Sequence, residues 1–172
     1  MKRKPLLDPY LKVIKQFNRL GVRYVVVGMS GINYYARDPR QTFGTLDFDL
    51  FLEPTLTNVK KAIPALKRLG YHVAGEREEV LEEELKGIVR IRQTLTATTA
   101  YGEMIELLLE ISGFPFTELA RDAATFTVEG VGVRVGSLEK LLRSKKLAGR
   151  PKDAAFLKRY EALLEEEGIE EE

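Results

Sequence analysis

The sequence predicts an α+β fold: a small mixed β-sheet with helices packed on one face, followed by a C-terminal helical pair. Three observations carry this. Apolar β-type runs, Tyr24-Val25-Val26-Val27 and Leu46-Asp47-Phe48-Asp49-Leu50-Phe51-Leu52, alternate with helix-period segments in the first half. Two later pairs of strand-like segments lie close enough in sequence to pair as hairpins. From Ser137 onward the pattern is that of capped helices. Residues 1–136 therefore read as the α+β domain, and 137–172 as C-terminal helices with an acidic tail. A chain of 172 residues, 44% hydrophobic and 31% charged, is long enough to bury a sizeable core.

Asp8-Pro9 opens the first helix, with Asp as N-cap and Pro at the first helical position. Leu11, Ile14, Phe17 and Leu20 share a face, and Gly21 ends it. Tyr24–Val27 has no polar residue, as in a strand buried on both faces. Gly28-Met29-Ser30-Gly31 breaks that strand, and residues 32–36 follow as a short helix. A polar loop over 37–45 leads into the Asp47–Leu52 strand.

Thr57 is placed to cap a helix that runs to Leu69 and stops at Gly70, with Pro64 predicting a kink or an early end. Tyr71–Ala74 is a short strand, and residues 76–86, six of them Glu, are a solvated loop or helix. Ile88–Thr96 and Met104–Ile111 read as paired strands, and Phe126–Val128 with Val131–Val135 as a hairpin around Glu129-Gly130. Ser137 caps a helix to about Leu147, Pro151 opens the last one to about Leu164, and Glu165–Glu172 reads as a frayed acidic tail.

Composition narrows the function. The net charge of +1 argues against a surface that coats nucleic acid throughout. The absence of cysteine excludes disulfides, thiolate metal sites and a Cys nucleophile. No apolar run reaches the ~20 residues of a membrane span, and no apolar signal core follows the basic Met1-Lys2-Arg3-Lys4-Pro5, so a cytoplasmic location is expected. The single histidine, His72, reads as a sheet or surface residue, which removes Ser-His-Asp chemistry.

The chemistry concentrates in three segments. In a strand, Asp47 and Asp49 project from one face, while Leu46, Phe48 and Leu50 fill the other. Two such carboxylates repel each other, and a divalent cation relieves that repulsion. Glu106, in Met104-Ile105-Glu106-Leu107-Leu108, completes a three-carboxylate cluster if its strand lies beside that of the aspartates. Oxygen ligands of this kind suit Mg²⁺ or Mn²⁺ together with substrate phosphates. The glycine turn at Gly28–Gly31 joins a buried strand to a helix, a place where unpaired backbone N–H groups favour phosphate.

These segments, in this order, resemble the DNA polymerase β-like nucleotidyltransferases, and among them the small prokaryotic members: the minimal nucleotidyltransferases and the abortive-infection-type toxin nucleotidyltransferases. The matching residues are Val27-Gly28-Met29-Ser30-Gly31, then Thr45-Leu46-Asp47-Phe48-Asp49, then Ile105-Glu106-Leu107-Leu108. Val135–Leu142 and Lys145–Asp153 resemble the ending of the toxin-type members, so the likeness spans about residues 22–160. The resemblance implies the nucleotidyltransferase fold and metal-dependent transfer of NMP from an NTP to a hydroxyl of RNA or protein. It implies Asp47, Asp49 and Glu106 as catalytic metal ligands for Mg²⁺ or Mn²⁺, with Glu106 also helping to deprotonate the acceptor. It implies Gly28, Met29, Ser30, Thr45 and Lys145 as nucleotide-binding, with Arg150 or Lys152 as further cations facing phosphate. It also implies a possible place in a toxin–antitoxin pair and a helical protein partner.

The chain departs from the pattern at three places. Met29 stands where a second small residue is usual, the third carboxylate is Glu106 rather than Asp, and the nearest arginine before Thr45, Arg40, lies three residues too early. A degenerate fold that acts as a nucleotide-binding or protein-interaction module is therefore the alternative. Two other chemistries fit less well. A haloacid-dehalogenase-type phosphatase wants a small or β-branched residue after the second Asp, where Leu50 stands. A glycosidase pair on one strand would sit about 7 Å apart, in the range for such acids, but nothing else in the sequence suggests a sugar cleft.

Overall fold

A computed structural model describes residues 9–36, 47–76 and 78–171, with side chains placed as far as residue 163. Seven strands form one mixed sheet: β1 (Tyr24–Val26), β2 (Phe48–Leu52), β3 (His72–Ala74), β4 (Leu95–Thr98), β5 (Met104–Leu108), β6 (Ala124–Val128) and β7 (Val131–Val135). Their spatial order is β3-β4-β5-β2-β1-β7-β6. The β2–β5 and β1–β7 pairs are parallel and the other four are antiparallel. Seven α-helices complete the described fold: α1 (Leu11–Leu20), α2 (Gly28–Asn33), α3 (Leu56–Arg68), α4 (Leu85–Ile91), α5 (Phe116–Arg121), α6 (Leu138–Ala148) and α7 (Pro151–Glu171). The architecture is α+β and ends in two helices, as the sequence predicts. No described helix is long and apolar enough to cross a membrane.

Helices flank both faces of the sheet rather than one. Tyr10, just before α1, stacks on Phe48 at 4.7 Å, whereas Phe116 of α5 meets Phe51 edge-on at 5.3 Å. Phe48 and Phe51 lie three residues apart on β2, so they point to opposite faces. The reason is legible in hindsight. Polar alternation stops after Asp49, and Leu50, Phe51 and Leu52 are all buried, so this half of β2 is covered on both sides.

Other boundaries move for local reasons. Gly28 is the first residue of α2, so the glycine turn is the helix's opening turn rather than a linker before it. Thr55, not Thr57, caps α3: its hydroxyl accepts from the Asn58 N–H at 3.3 Å. Pro64 does not end the helix early, since α3 continues to Arg68. Pro64 lies on the exposed side, as does Lys60, whose carbonyl loses the bond that proline cannot donate. The Asp8 cap lies outside the described residues.

The segment 88–96 is not a strand throughout. Leu85–Ile91 is α4, with Leu85 and Ile88 buried at a helical spacing of three. Arg92 closes it in a left-handed conformation (φ 57°), and the strand begins only at Leu95. Leu85–Ile91 carries four β-branched or Leu-type apolar residues in a short span, so its period is ambiguous in sequence. The six-residue α5 is an element that the sequence pattern did not signal. At the C-terminus, α7 extends to Glu171 instead of fraying after Leu164. Glutamate is a good helix former, so the acidic run continues the helix.

The helix α6 lies against α2 and α7. A Cβ on Gly31 would come within 2.9 Å of Leu141 Cδ1, so the small residue lets α2 and α6 close together. Tyr35 donates its hydroxyl to the Gly136 carbonyl at 2.7 Å, tying the end of α2 to the end of β7. These contacts place the C-terminal helices over the end of the sheet where the aspartates lie.

Candidate functional site

The parallel pairing of β2 with β5 sets the site. Its register places Phe48 opposite Ile105, Asp49 opposite Glu106 and Leu50 opposite Leu107. Asp49 and Glu106 therefore stand side by side, with Asp47 two residues earlier on the same face. Each of the three offers a carboxylate oxygen, and those oxygens lie within 4.8 Å of one another. The sequence spacing predicts the pair, and the topology supplies the third member.

The start of α2 meets this cluster from above. Gly28 adopts φ +64°, and a Cβ there would sit 2.3 Å from Asp49 Oδ2. Two demands thus converge on one position: a left-handed backbone and a close approach to a carboxylate, both met by glycine. The Val27 N–H donates to the Asp49 carbonyl at 3.0 Å, extending the β1–β2 ladder to the turn. The buried Ser30 hydroxyl donates to the Asp47 carbonyl at 2.9 Å and accepts from the Asp49 N–H at 3.2 Å. Ser30 thus bonds to the strand that carries the aspartates, a role not readable from the motif.

The three carboxylates open into a cleft of about 500 Å³ that α6 and the start of α7 complete. Gly28, Met29, Asp47, Asp49 and Glu106 form one side, with Glu110 at its margin. Lys145, Arg150 and Lys152, from the end of α6 and the start of α7, line the cleft as well. Leu108, Ile111 and Leu141 give the cleft an apolar floor. Of the sequence-predicted site residues, the cleft gathers Gly28, Met29, Asp47, Asp49, Glu106 and Lys145. Ser30 is not in the cleft lining but bonds the β1-facing edge of the aspartate strand, and Thr45 lies outside the described residues.

Electrostatics separate the acids. The Asp49 carboxyl is pushed up from 3.8 to about 7, first by burial, then by repulsion from Glu106 and Asp47; Lys145 and Lys152 oppose the rise. Burial and the two neighbouring carboxylates together outweigh the two lysines. Hard oxygen donors at this spacing fit a divalent ion such as Mg²⁺ or Mn²⁺, and added positive charge would favour the ionised form of Asp49.

Asp153 is the residue that sequence reasoning passed over. It is 1% exposed and sits between two cations. Arg150 donates from Nε at 2.6 Å and from Nη2 at 3.3 Å, and Lys145 donates from Nζ at 3.3 Å. Lys145 Nζ also lies 5.1 Å from the centre of the Phe156 ring. Burial acts to raise the Asp153 pKa, but the bonds and charges of Arg150 and Lys145 outweigh it and hold the carboxyl below its ordinary value. The Lys-x4-Arg-x2-Asp spacing across a helix break was the available signal. It holds Lys145 at the edge of the cleft that contains the carboxylates.

No protein-family model matches the chain, and no curated protein matches it at a significant level.

Proposed function

We propose that the chain is a metal-dependent nucleotidyltransferase that moves NMP from an NTP to a hydroxyl acceptor on RNA or protein. The observation that carries the reading is the parallel register of Asp49 with Glu106, which brings three carboxylates together in a cleft that cations line as well. A surface cluster of acids without a function would not need buried, apolar-flanked strands to hold it; Asp49 is only partly exposed and shifted toward the neutral form.

In this reading Asp47, Asp49 and Glu106 hold Mg²⁺ or Mn²⁺, which when bound neutralises charge on the phosphates and on the leaving pyrophosphate. Lys145, Arg150 and Lys152 face the remaining triphosphate charge from the end of α6 and the start of α7. Gly28 lets the nucleotide approach the start of α2 without a Cβ at the closest point, and Met29 follows it on the same wall. The acceptor oxygen forms a bond to the α-phosphorus, and the bond from that phosphorus to the α–β bridging oxygen breaks. Pyrophosphate leaves with the electron pair, and the hydroxyl proton passes to Glu106 and then to solvent. Without a charge-balancing clamp such transfer is slow, and positioning with electrostatic stabilisation supplies most of the acceleration.

The test is transfer of label from each α-³²P NTP to total RNA and to protein, with Mg²⁺ or Mn²⁺ and with EDTA. Labelled product with stoichiometric pyrophosphate, absent in EDTA and absent with Asp49→Asn, supports the reading. Nucleotide binding without product from any acceptor fraction favours a binding module with the same cleft.

A further inference from the structure

We infer that Ser30 is a positioning residue whose hydroxyl stands in for a missing strand and sets the geometry of the aspartate pair, and through it the cation affinity of the cluster. The inference rests on the reading of Asp47, Asp49 and Glu106 as a cation site.

At the start of β2, the N–H and carbonyl groups of Asp49, and those of Asp47 just before the strand, point toward β1, while those of Phe48 point toward β5. The β1 ladder runs from Tyr24 opposite Leu52 to Val26 opposite Leu50, and the Val27 N–H adds a last bond to the Asp49 carbonyl. At Gly28 the chain turns into α2, so no β1 residue remains to meet the Asp49 N–H or the Asp47 carbonyl. Buried backbone groups left this way are costly. Ser30, 6% exposed, fills the gap with one side chain: its oxygen accepts from Asp49 N at 3.2 Å and its proton goes to Asp47 O at 2.9 Å.

This geometry has a consequence for chemistry. The hydroxyl spans the two residues that carry the metal-facing carboxylates and keeps the backbone extended between them, which is what holds both side chains on one face. The single hydroxyl proton is committed to the Asp47 carbonyl, so Ser30 does not donate to a phosphate in this arrangement. The hydroxyl acts on the ligands, and not on the nucleotide.

The test measures Mn²⁺ binding to the full chain without nucleotide, by titration with electron paramagnetic resonance of free Mn²⁺. Ser30→Ala and Ser30→Thr are compared with wild type at a temperature well below unfolding. Amide hydrogen exchange at Asp49 is read in parallel. The inference predicts Mn²⁺ binding about tenfold or more weaker in Ser30→Ala, in the range seen when groups that orient metal ligands are removed. It predicts near-wild-type binding in Ser30→Thr, which keeps the hydroxyl, and faster Asp49 exchange in the alanine variant only. A role limited to stability would lower the unfolding temperature without this split between alanine and threonine. Ser30→Ala that binds Mn²⁺ as wild type does, or Ser30→Thr as weak as Ser30→Ala, overturns the inference. Wild type that binds no Mn²⁺ overturns the cation reading itself and the inference with it. If Ser30→Ala does not fold, Ser30→Cys, which keeps the volume and bonds weakly, replaces it under the same criteria.

Discussion

Asp49 and Asp153 are carboxyl groups in one cleft, and they sit in opposite electrostatic situations. Asp153 is the more deeply buried, yet Arg150 and Lys145 bond to it directly and hold it in its charged form. Asp49 is less buried, but Glu106 and Asp47 crowd it and its pKa rises to about 7. The difference separates a carboxylate that is neutralised within the protein from carboxylates that repel one another. A buried acid with its counter-ions in place is a structural part. Three acids brought together by strand register are the place where the proposed cation would bind.

The comparison can be broken most sharply at the aspartates. Replacing both Asp47 and Asp49 by Asn is expected to remove transfer activity, by about 10³-fold or more, on the scale of losing key electrostatic stabilisation. The same change should leave the metal-free unfolding temperature unchanged or higher, because the repulsion that raises Asp49 disappears. A steady-state assay beside a thermal melt checks both halves.

Asp153→Asn should do the reverse. It removes the negative partner of Arg150 and Lys145 at a buried position, at a cost of about 2–3 kcal/mol, less than for a fully enclosed pair because Arg150 is largely exposed. For a chain of this size that is a fall of roughly 5–10 °C in unfolding temperature. Calorimetry on the variant reads it.

Gly28→Ala should be intermediate. It places a Cβ 2.3 Å from Asp49 Oδ2 at a backbone φ of +64°, so the carboxylate or the turn must shift. The backbone strain alone costs about 1–2 kcal/mol. Cation binding is expected to weaken beyond what the loss of stability explains, which separate melting and Mn²⁺ titration will show.

The last contrast is the pH dependence of the metal-free chain. Asp49 holds its proton more tightly folded than unfolded, so its contribution favours the folded state at low pH and is lost as pH rises from about 4 to about 7. Asp153 is shifted the other way, so its contribution is present above the ordinary carboxyl range and lost as pH falls through it. Chemical denaturation between pH 3 and 8 should show opposite slopes on the two sides of about pH 4. Asp49→Asn should flatten the upper slope and leave the lower one.

How far this site was legible in the sequence depended on range. The aspartate pair was readable because a strand's alternation is a local property, and Leu46, Phe48 and Leu50 mark the opposite face. Glu106 was readable as a strand-face carboxylate, but its position opposite Asp49 is a parallel register across 57 residues, which local pattern does not encode. Gly28 was readable as a turn, while its near-contact with Asp49 was not. Ser30 and Asp153 act through bonds to partners chosen by the tertiary fold, so composition offered no direct sign of either. The α4 helix was misread because its short apolar run fits both periods, and α5 is too short to show any period.

The most direct measurement is a thermal-shift scan of wild type and Asp47→Asn/Asp49→Asn with each NTP, with and without Mg²⁺ or Mn²⁺. The account predicts that wild type is stabilised by at least one nucleotide only when the divalent cation is present, and that the double variant shows no such shift while keeping its fold. An equal shift in both proteins, or no shift in wild type with any nucleotide and metal, would contradict it.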